Sequence, residues 1–325
     1  MEHDPLSPAE VRSLANVVNR IAGGVASAVL GKPEVVRLAV TALLAGGHLL
    51  VEDVPGVGKT TLARALSTVV DGAWRRIQCT PDLLPSDITG VTVYRQAEGV
   101  FEFRPGPVFA NVVLADELNR ASPKTQSALL EVMEERQVTV DGVRYRVPEP
   151  FLVVATQNPI EAAGTYPLPE AQLDRFLMKV SVGYPDEDAE VDVVRAACHG
   201  RSPDDLPPVL DTERLRAIVA LAARAHVGDA LHRYVVRLAA ATRTHPGVRV
   251  GVSPRGAVAL AKAARAFACT AGRGYVVPED VQALLEPVFA HRLILELEAQ
   301  LHGVTPHAVL GEVVRAVPVP APAAV

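Results

Sequence analysis

Two short runs carry residue types that ordinary core packing does not call for. Pro55-Gly56-Val57-Gly58-Lys59-Thr60-Thr61 follows a short apolar run, His48-Leu-Leu-Val-Glu52, and leads into a helical pattern that continues to Val70. Strand, glycine-rich loop and helix in that order make a phosphate cradle, because backbone N–H groups at the helix start face phosphate oxygens and the helix dipole favours their charge. In that frame Lys59 reaches the β- and γ-phosphates of a nucleotide, Thr60 offers its hydroxyl to Mg²⁺, and Val54 through Thr61 are all candidates for cofactor contact. The full pattern asks for glycine at position 53, where this chain has Asp53. Aspartate accepts unusual backbone angles more readily than most residues, so the turn is expected to survive.

The second run is Asp116-Glu117, which closes the apolar stretch Asn111-Val-Val-Leu-Ala, 57 residues after Lys59. Two carboxylates here supply what ATP hydrolysis needs: Asp116 to hold Mg²⁺ and Glu117 to polarise the attacking water. In isolation the pair reads as a solvated strand end; beside a phosphate loop it reads as a site. Three further residues join the candidates. Asn158 closes another apolar run and can orient water or touch the γ-phosphate, against the plainer reading of a turn amide before Pro159. Arg175, in Asp174-Arg175-Phe176, can serve a neighbouring subunit's nucleotide, or form a surface ion pair. Arg255, in Ser253-Pro254-Arg255, can lean back onto the nucleotide and couple two domains, or sit on a solvated first helical turn.

The elements that must position these residues are legible as a pattern. Apolar runs at 48–52, 74–79, 111–117, 151–156 and 177–182 alternate with helical stretches, notably Pro123 to Arg136 capped by Ser122. Near-continuous apolar strands between helices predict an α/β fold with a parallel five-stranded sheet covered on both faces. Two hairpins decorate it: 137–147, with strict alternation around Asp141-Gly142, and 91–104 around Glu98-Gly99. At the amino end, Ser7-Pro8-Ala9-Glu10 reads as a capped helix start, with helical pattern to Leu44 and a break near Gly31-Lys32-Pro33. The resulting division is 1–185 as a nucleotide-binding α/β core, 186–316 as an alanine-rich, all-helical domain, and 317–325 as a proline-rich flexible tail.

Composition limits the alternatives. With 325 residues, 49% hydrophobic and 21% charged, the chain has ample core and no signature of wholesale disorder. A net charge of −5 disfavours binding nucleic acid over a broad surface. Three well-separated cysteines, Cys79, Cys198 and Cys269, predict no disulfide framework, and nine scattered histidines no zinc site. No run approaches the ~18 apolar residues of a membrane span. Residues 21–30 imitate a signal-peptide core, but Glu2, Asp4 and Glu10 spoil the basic leader, so a buried helix and a cytoplasmic location are expected.

Longer motifs add a resemblance. Leu114-Ala-Asp-Glu-Leu-Asn-Arg-Ala-Ser-Pro-Lys-Thr-Gln-Ser-Ala-Leu-Leu-Glu-Val-Met133, Phe103-Arg-Pro-Gly-Pro-Val-Phe-Ala-Asn111, Ala155-Thr-Gln-Asn-Pro-Ile-Glu161 and Gly164-Thr-Tyr-Pro-Leu-Pro-Glu-Ala-Gln-Leu-Asp-Arg-Phe176 closely resemble the MoxR family of AAA+ ATPases, over roughly residues 20–315. The resemblance implies a P-loop AAA+ core with β-hairpin inserts and a C-terminal helical lid. Lys59 and Thr60 then match Walker A, Asp116 and Glu117 Walker B, Asn158 sensor 1, Arg175 the arginine finger and Arg255 sensor 2, while Gln78 matches a polar switch on Glu117. It also implies ATP and Mg²⁺ as cofactors, a homo-oligomeric ring, most commonly a hexamer, a protein client, and a partner with a von Willebrand factor A-type domain. The implied role is a chaperone that remodels or matures its clients. The alternatives are a magnesium-chelatase-like motor subunit, a related DNA motor that would want basic pore hairpins, or a nucleotide-gated scaffold with little turnover, for which Asp53 is the sole support.

Overall fold

The computed structural model describes residues 5–159 and 164–320. Ile160 and Glu161 of one motif and residues 321–325 of the expected tail lie outside them. Ser7 opens α1 (Pro8–Ala26) as the pattern predicts: its hydroxyl accepts from the Glu10 N–H, and the Glu10 carboxylate accepts from the Ser7 N–H at 2.7 Å. Leu14, Val18, Ile21 and Val25 form one buried stripe on this helix, which accounts for the apolar run at 21–30. After α2 (Pro33–Leu44), the chain alternates between sheet and helices. The succession is β1 (Leu49–Glu52), α3 (Lys59–Val69), β2 (Trp74–Gln78), α4 (Pro85–Thr89), the hairpin β3 (Gly90–Arg95) and β4 (Val100–Pro105), β5 (Val112–Asp116) and α5 (Pro123–Glu135). The hairpin β6 (Gln137–Val140) and β7 (Val143–Arg146), β8 (Leu152–Gln157), α6 (Glu170–Leu173) and β9 (Met178–Val180) complete this part.

Five strands form one parallel sheet in the order β2-β5-β8-β1-β9, which places β1 and its phosphate loop inside the sheet and β2 at an edge. Side-chain alternation divides the core. Leu49, Val51, Leu114 and Val154 face α1 to α3, whereas Leu50, Val113, Val153 and Ala155 face Leu129, Leu130 and Met133 of α5. Burial on both faces is why the strands read as continuous apolar runs rather than alternating ones. In the β6–β7 hairpin both turn residues, Asp141 and Gly142, have positive φ (51° and 78°), the geometry an Asp-Gly turn favours. Phe103 of β4 stacks on Tyr145 of β7, centroids 4.0 Å apart, so the two hairpins lean on each other.

The remaining chain is helical: α7 (Glu187–Cys198), α8 (Thr212–Ala222), α9 (Asp229–Thr244), α10 (Pro254–Thr270), α11 (Pro278–Ala283), α12 (Leu285–Phe289), α13 (Leu297–Leu301) and α14 (Pro306–Ala316). It departs from the all-helical expectation where β10 (Val248–Val250) pairs antiparallel with β11 (Ile294–Leu295) and where His226 bridges Tyr275. Strands of three and two residues are too short to write a period-two pattern. This part does not stand away from the core. Leu260, Ala263 and Phe267 of α10 share one hydrophobic cluster with Ile21 of α1 and Ala39 of α2, and Arg37 lies 3.8 Å over the Phe267 ring. Among the described residues no helix is long and apolar enough to cross a membrane. Cys79 and Cys269 are buried and unpaired, and Cys198 is exposed.

His48 ties the sheet's entry together. Its Nδ1 accepts from the Val153 N–H at 3.0 Å, so Nε2 carries the hydrogen and donates to the Met133 carbonyl at 3.0 Å. Burial, reinforced by nearby Arg136, drops its pKa to about 3, and burial beside Arg292 pushes His291 well below the ordinary value too. Both folded-state values are depressed, so the unfolded chain takes up protons first. The stability these neutral rings contribute is complete above the unfolded value near 6.5 and drains as pH falls, by about 1.4 kcal/mol per pH unit for each ring until its folded-state value is reached. Thermal unfolding followed between about pH 7.5 and 5 should therefore show a falling Tm, and a His48→Gln variant, lower at neutral pH, should lose part of that slope. An acid slope equal in both proteins would contradict the assignment.

Candidate functional site

The carboxyl ends of β1, β5 and β8 surround a cavity of about 410 Å³ lined by Pro55, Gly56, Gly58, Lys59, Thr60, Thr61, Arg76, Asp116, Glu117 and Asn158. Gly56 and Gly58 hold φ at 85° and 91°, and a Cβ at either would point into open space, so a ligand can approach the bare backbone there. The eleven-residue helix α3 starts at Lys59 and directs its first N–H groups at the cavity. The Lys59 ammonium is buried and donates to the Asp53 carbonyl at 2.7 Å. Val54 and Val57 do not line the cavity. The Val57 side chain packs on the core, and the Val54 N–H donates to the Asp53 carboxylate at 2.8 Å.

Asp53 survives for a different reason from backbone tolerance. It is not among the residues with positive φ. Its Oδ2 accepts from the Gly183 N–H at 2.6 Å and the Ser181 hydroxyl at 2.8 Å, bolting the end of β1 to the segment after β9. Burial opposes ionisation of this carboxyl, but the donations from Gly183, Ser181 and Val54 outweigh it and hold the pKa below the ordinary value.

Asp116 and Glu117 are steered by Thr156 of β8. The Thr156 hydroxyl accepts from the Glu117 N–H at 2.8 Å and donates to Asp116 Oδ1 at 2.7 Å. Glu117 itself has φ 57°, a conformation costly for a residue with a Cβ and commonest where function demands it. Its carboxylate accepts from Arg120 at 2.9 Å and Gln78 at 3.2 Å. Asn158 is buried at the rim, its carbonyl accepting from Asn119 at 3.5 Å. The Thr60 hydroxyl and the Asp116 carboxylate, hard oxygen donors on one cavity, suit Mg²⁺ shared with phosphate oxygens.

Arg175 and Arg255 are not at this cavity. They line a second one, about 310 Å³, with Gly46, Gly47, His48, Glu134, Asp174 and Lys262. Gly46, Gly47 and His48 precede β1, and Asp174 and Arg175 precede β9, whereas the phosphate loop follows β1, so the length of β1 (about 13 Å) separates the two cavities. The expectation that Arg255 leans back onto its own chain's nucleotide is therefore not met. α10 (Pro254–Thr270), whose first turn carries Arg255, is packed on α1 and α2 and presents it at the opposite end of the sheet. Both arginines pair with Glu134, Arg175 at 3.3 Å, and Arg175 also donates to the Leu130 carbonyl at 2.8 Å.

Several site residues had no signal in the sequence. Arg292 is almost wholly buried and donates to Asp174 Oδ1 at 2.6 Å and the Phe176 carbonyl at 2.5 Å, while Ser253 donates to Asp174 Oδ2 at 3.1 Å. Asp174 thus engages the helical region from two directions and does not pair with its neighbour Arg175. A third cavity, about 460 Å³, shares Thr61 with the phosphate loop and is walled by Ser27, Leu30, Val193, Ala197, Arg201 and Leu206 among others. Arg76 projects into the phosphate-loop cavity from the edge strand β2.

The Asp53 bolt makes a prediction opposite to the one the glycine pattern suggests. Asp53→Gly restores that pattern yet removes three hydrogen bonds to a charged group, each worth about 1.5–3 kcal/mol where buried. The variant should melt several degrees lower and bind nucleotide more weakly by titration calorimetry; unchanged or tighter binding would show that the carboxylate is dispensable.

Comparison with known proteins agrees with this geometry. Residues 48–178 match the ATPase family associated with various cellular activities (AAA), and residues 240–313 match the AAA lid domain. The chain is 49% identical to an uncharacterized protein, YeaC, of Bacillus subtilis, over 90% of this chain and 91% of that one. It is 44% identical to Chaperone MoxR1 of Mycobacterium tuberculosis, over 90% of this chain and 79% of that one. A crystal structure from Cytophaga hutchinsonii, there assigned as an ATPase candidate, superposes with a TM-score of 0.90 at 36% identity, covering 96% of this chain and 98% of that one. Sequence, fold and site agree: the chain belongs to the MoxR family of AAA ATPases.

Proposed function

We propose that this protein binds and hydrolyses ATP with Mg²⁺, that it works as a ring of identical subunits, a hexamer by family resemblance, and that the ring remodels client proteins in the cytoplasm. One observation carries the reading. Lys59, Thr60, Asp116, Glu117 and Asn158 converge on one cavity, while Arg175 and Arg255 line another at the far end of the sheet, away from their own chain's phosphate loop. Gly56 to Thr61 would hold the phosphates, Lys59 would turn from the Asp53 carbonyl to the β- and γ-oxygens, and the cavity beside Thr61 would offer room for the base. Mg²⁺, held through Thr60 and Asp116, would neutralise charge on those oxygens. Glu117 accepts a proton from the attacking water as it leaves Arg120 and Gln78, and Asn158 orients that water.

Surface chemistry supports head-to-tail assembly. α7 has no buried residue; it exposes Glu187, Asp188, Glu190 and Asp192 around half-exposed Val191 and Val194, and flanks the phosphate-loop end through Val193 and Ala197. The opposite end carries Arg255, Val258 and Lys262 in one stripe of α10, acid-and-valine against base-and-valine. The aromatic pair Tyr94 and Phe101, 5.0 Å apart and exposed at the hairpin tip, suits contact with a protein client. The helical region and the hairpins move together on this reading, and a partner with a von Willebrand factor A-type domain is a family expectation.

The test is Mg²⁺-dependent ATP hydrolysis per subunit against protein concentration. A rate that climbs steeply and saturates is expected. Arg175→Ala should bind ATP normally and lose about 10³–10⁵-fold in turnover, roughly 4–7 kcal/mol of barrier. Mixing it with a Glu117→Gln variant should restore activity, because sites formed by intact Glu117 beside an intact neighbouring Arg175 reappear. A mixture that stays inactive would mean that Arg175 acts within its own subunit.

A further inference from the structure

β2 is the edge strand beside β5, with Gln78 directly opposite Asp116, and Arg76 lies two residues back on the same face. The guanidinium makes two contacts there: one Nη2 donates to Asp116 Oδ2 at 2.6 Å and to Gln78 Oε1 at 2.7 Å. That second bond fixes which way the Gln78 amide faces, and its Nε2 then donates to Glu117 Oε2 at 3.2 Å. Asp116, Arg76, Gln78 and Glu117 thus form one hydrogen-bonded chain across the mouth of the cavity. Thr156 holds the other Asp116 oxygen at 2.7 Å, so Arg76 occupies the carboxylate oxygen that faces the edge strand.

From this arrangement we propose that Arg76 is a positioning residue that competes with the divalent cation for Asp116, so that cation loading and loss of the Gln78 restraint on Glu117 are one event. The inference rests on the reading that Asp116 meets Mg²⁺. A guanidinium cannot keep its place beside a carboxylate that a dication approaches, since the two positive groups repel across a few ångströms. When Arg76 leaves, Gln78 Oε1 loses its donor, the amide is free to turn, and Glu117 loses one of the two donors that restrain it. The half-exposed Arg76 side chain has room to swing out along the sheet edge.

The experiment measures the affinity of the full-length chain for a fluorescent ATP analogue, with Mg²⁺ and with EDTA, and takes the ratio of the two dissociation constants. In Arg76→Gln the Mg²⁺ enhancement should rise about two- to fivefold over wild type, the fold-change equivalent of a half-exposed ion pair. Arg76→Lys keeps the charge and should stay near the wild-type ratio. In an Asp116→Asn background the Arg76→Gln change should have no further effect on the ratio. A ratio unchanged or lowered in Arg76→Gln, with both proteins melting cooperatively, overturns the proposal. If wild type shows no Mg²⁺ enhancement, or Lys59→Ala binds as tightly as wild type, it is the underlying nucleotide reading that fails.

Discussion

Strand polarity is the constraint from which this chain's two ends follow. All five strands of the sheet run the same way, so their carboxyl ends gather the phosphate loop, Asp116, Glu117 and Asn158, and their amino ends gather His48 and Asp174 to Phe176. Burial on both faces leaves no route through the sheet between the ends. The distance between Arg175 and its own chain's phosphate loop is therefore set by strand length and direction, not by side-chain rotation. No rotamer of Arg255 alters that, because α10 is anchored by its apolar stripe to α1 and α2.

What could be read in the sequence was what is written locally. The Ser7 capping box, the strand-loop-helix around Lys59 and the Asp141-Gly142 turn each depend on residues within about a dozen positions, where backbone preference and spacing decide the outcome. The rest depended on partners far along the chain. Asp53 meets Ser181 and Gly183, 128 and 130 positions on, so its carboxylate could be noticed as a missing glycine but not as a clamp. Arg255 could be placed at the start of a helix, but the end of the sheet it occupies is decided by how that helix packs. Arg292 sits in a short turn between α12 and β11, with nothing nearby to mark it as different from the arginines of the surface.

Arg292 is nevertheless the joint of the molecule. Burial pushes its guanidinium's pKa down while Asp174 pulls it back up; the carbonyls of Asp174 and Phe176 take its Nη2 donors, and those of Leu177 and Val288 take Nη1. A buried charge is tolerable only with such a full set of partners, and removing one of them leaves the others stranded. The same Asp174 carboxylate also receives Ser253, two residues before Arg255. The backbone around Arg175 and the start of the helix that carries Arg255 are thus tied to one side chain, Asp174.

Glu134 closes that arrangement from the surface. Its two oxygens take Arg175 and Arg255 separately, much as two oxygens of a phosphoryl group would. On the proposed reading, that ion pairing must be given up before either arginine meets a phosphoryl group. Any small anion entering that end meets two guanidinium groups whose charge is already answered by a carboxylate tethered to the same chain.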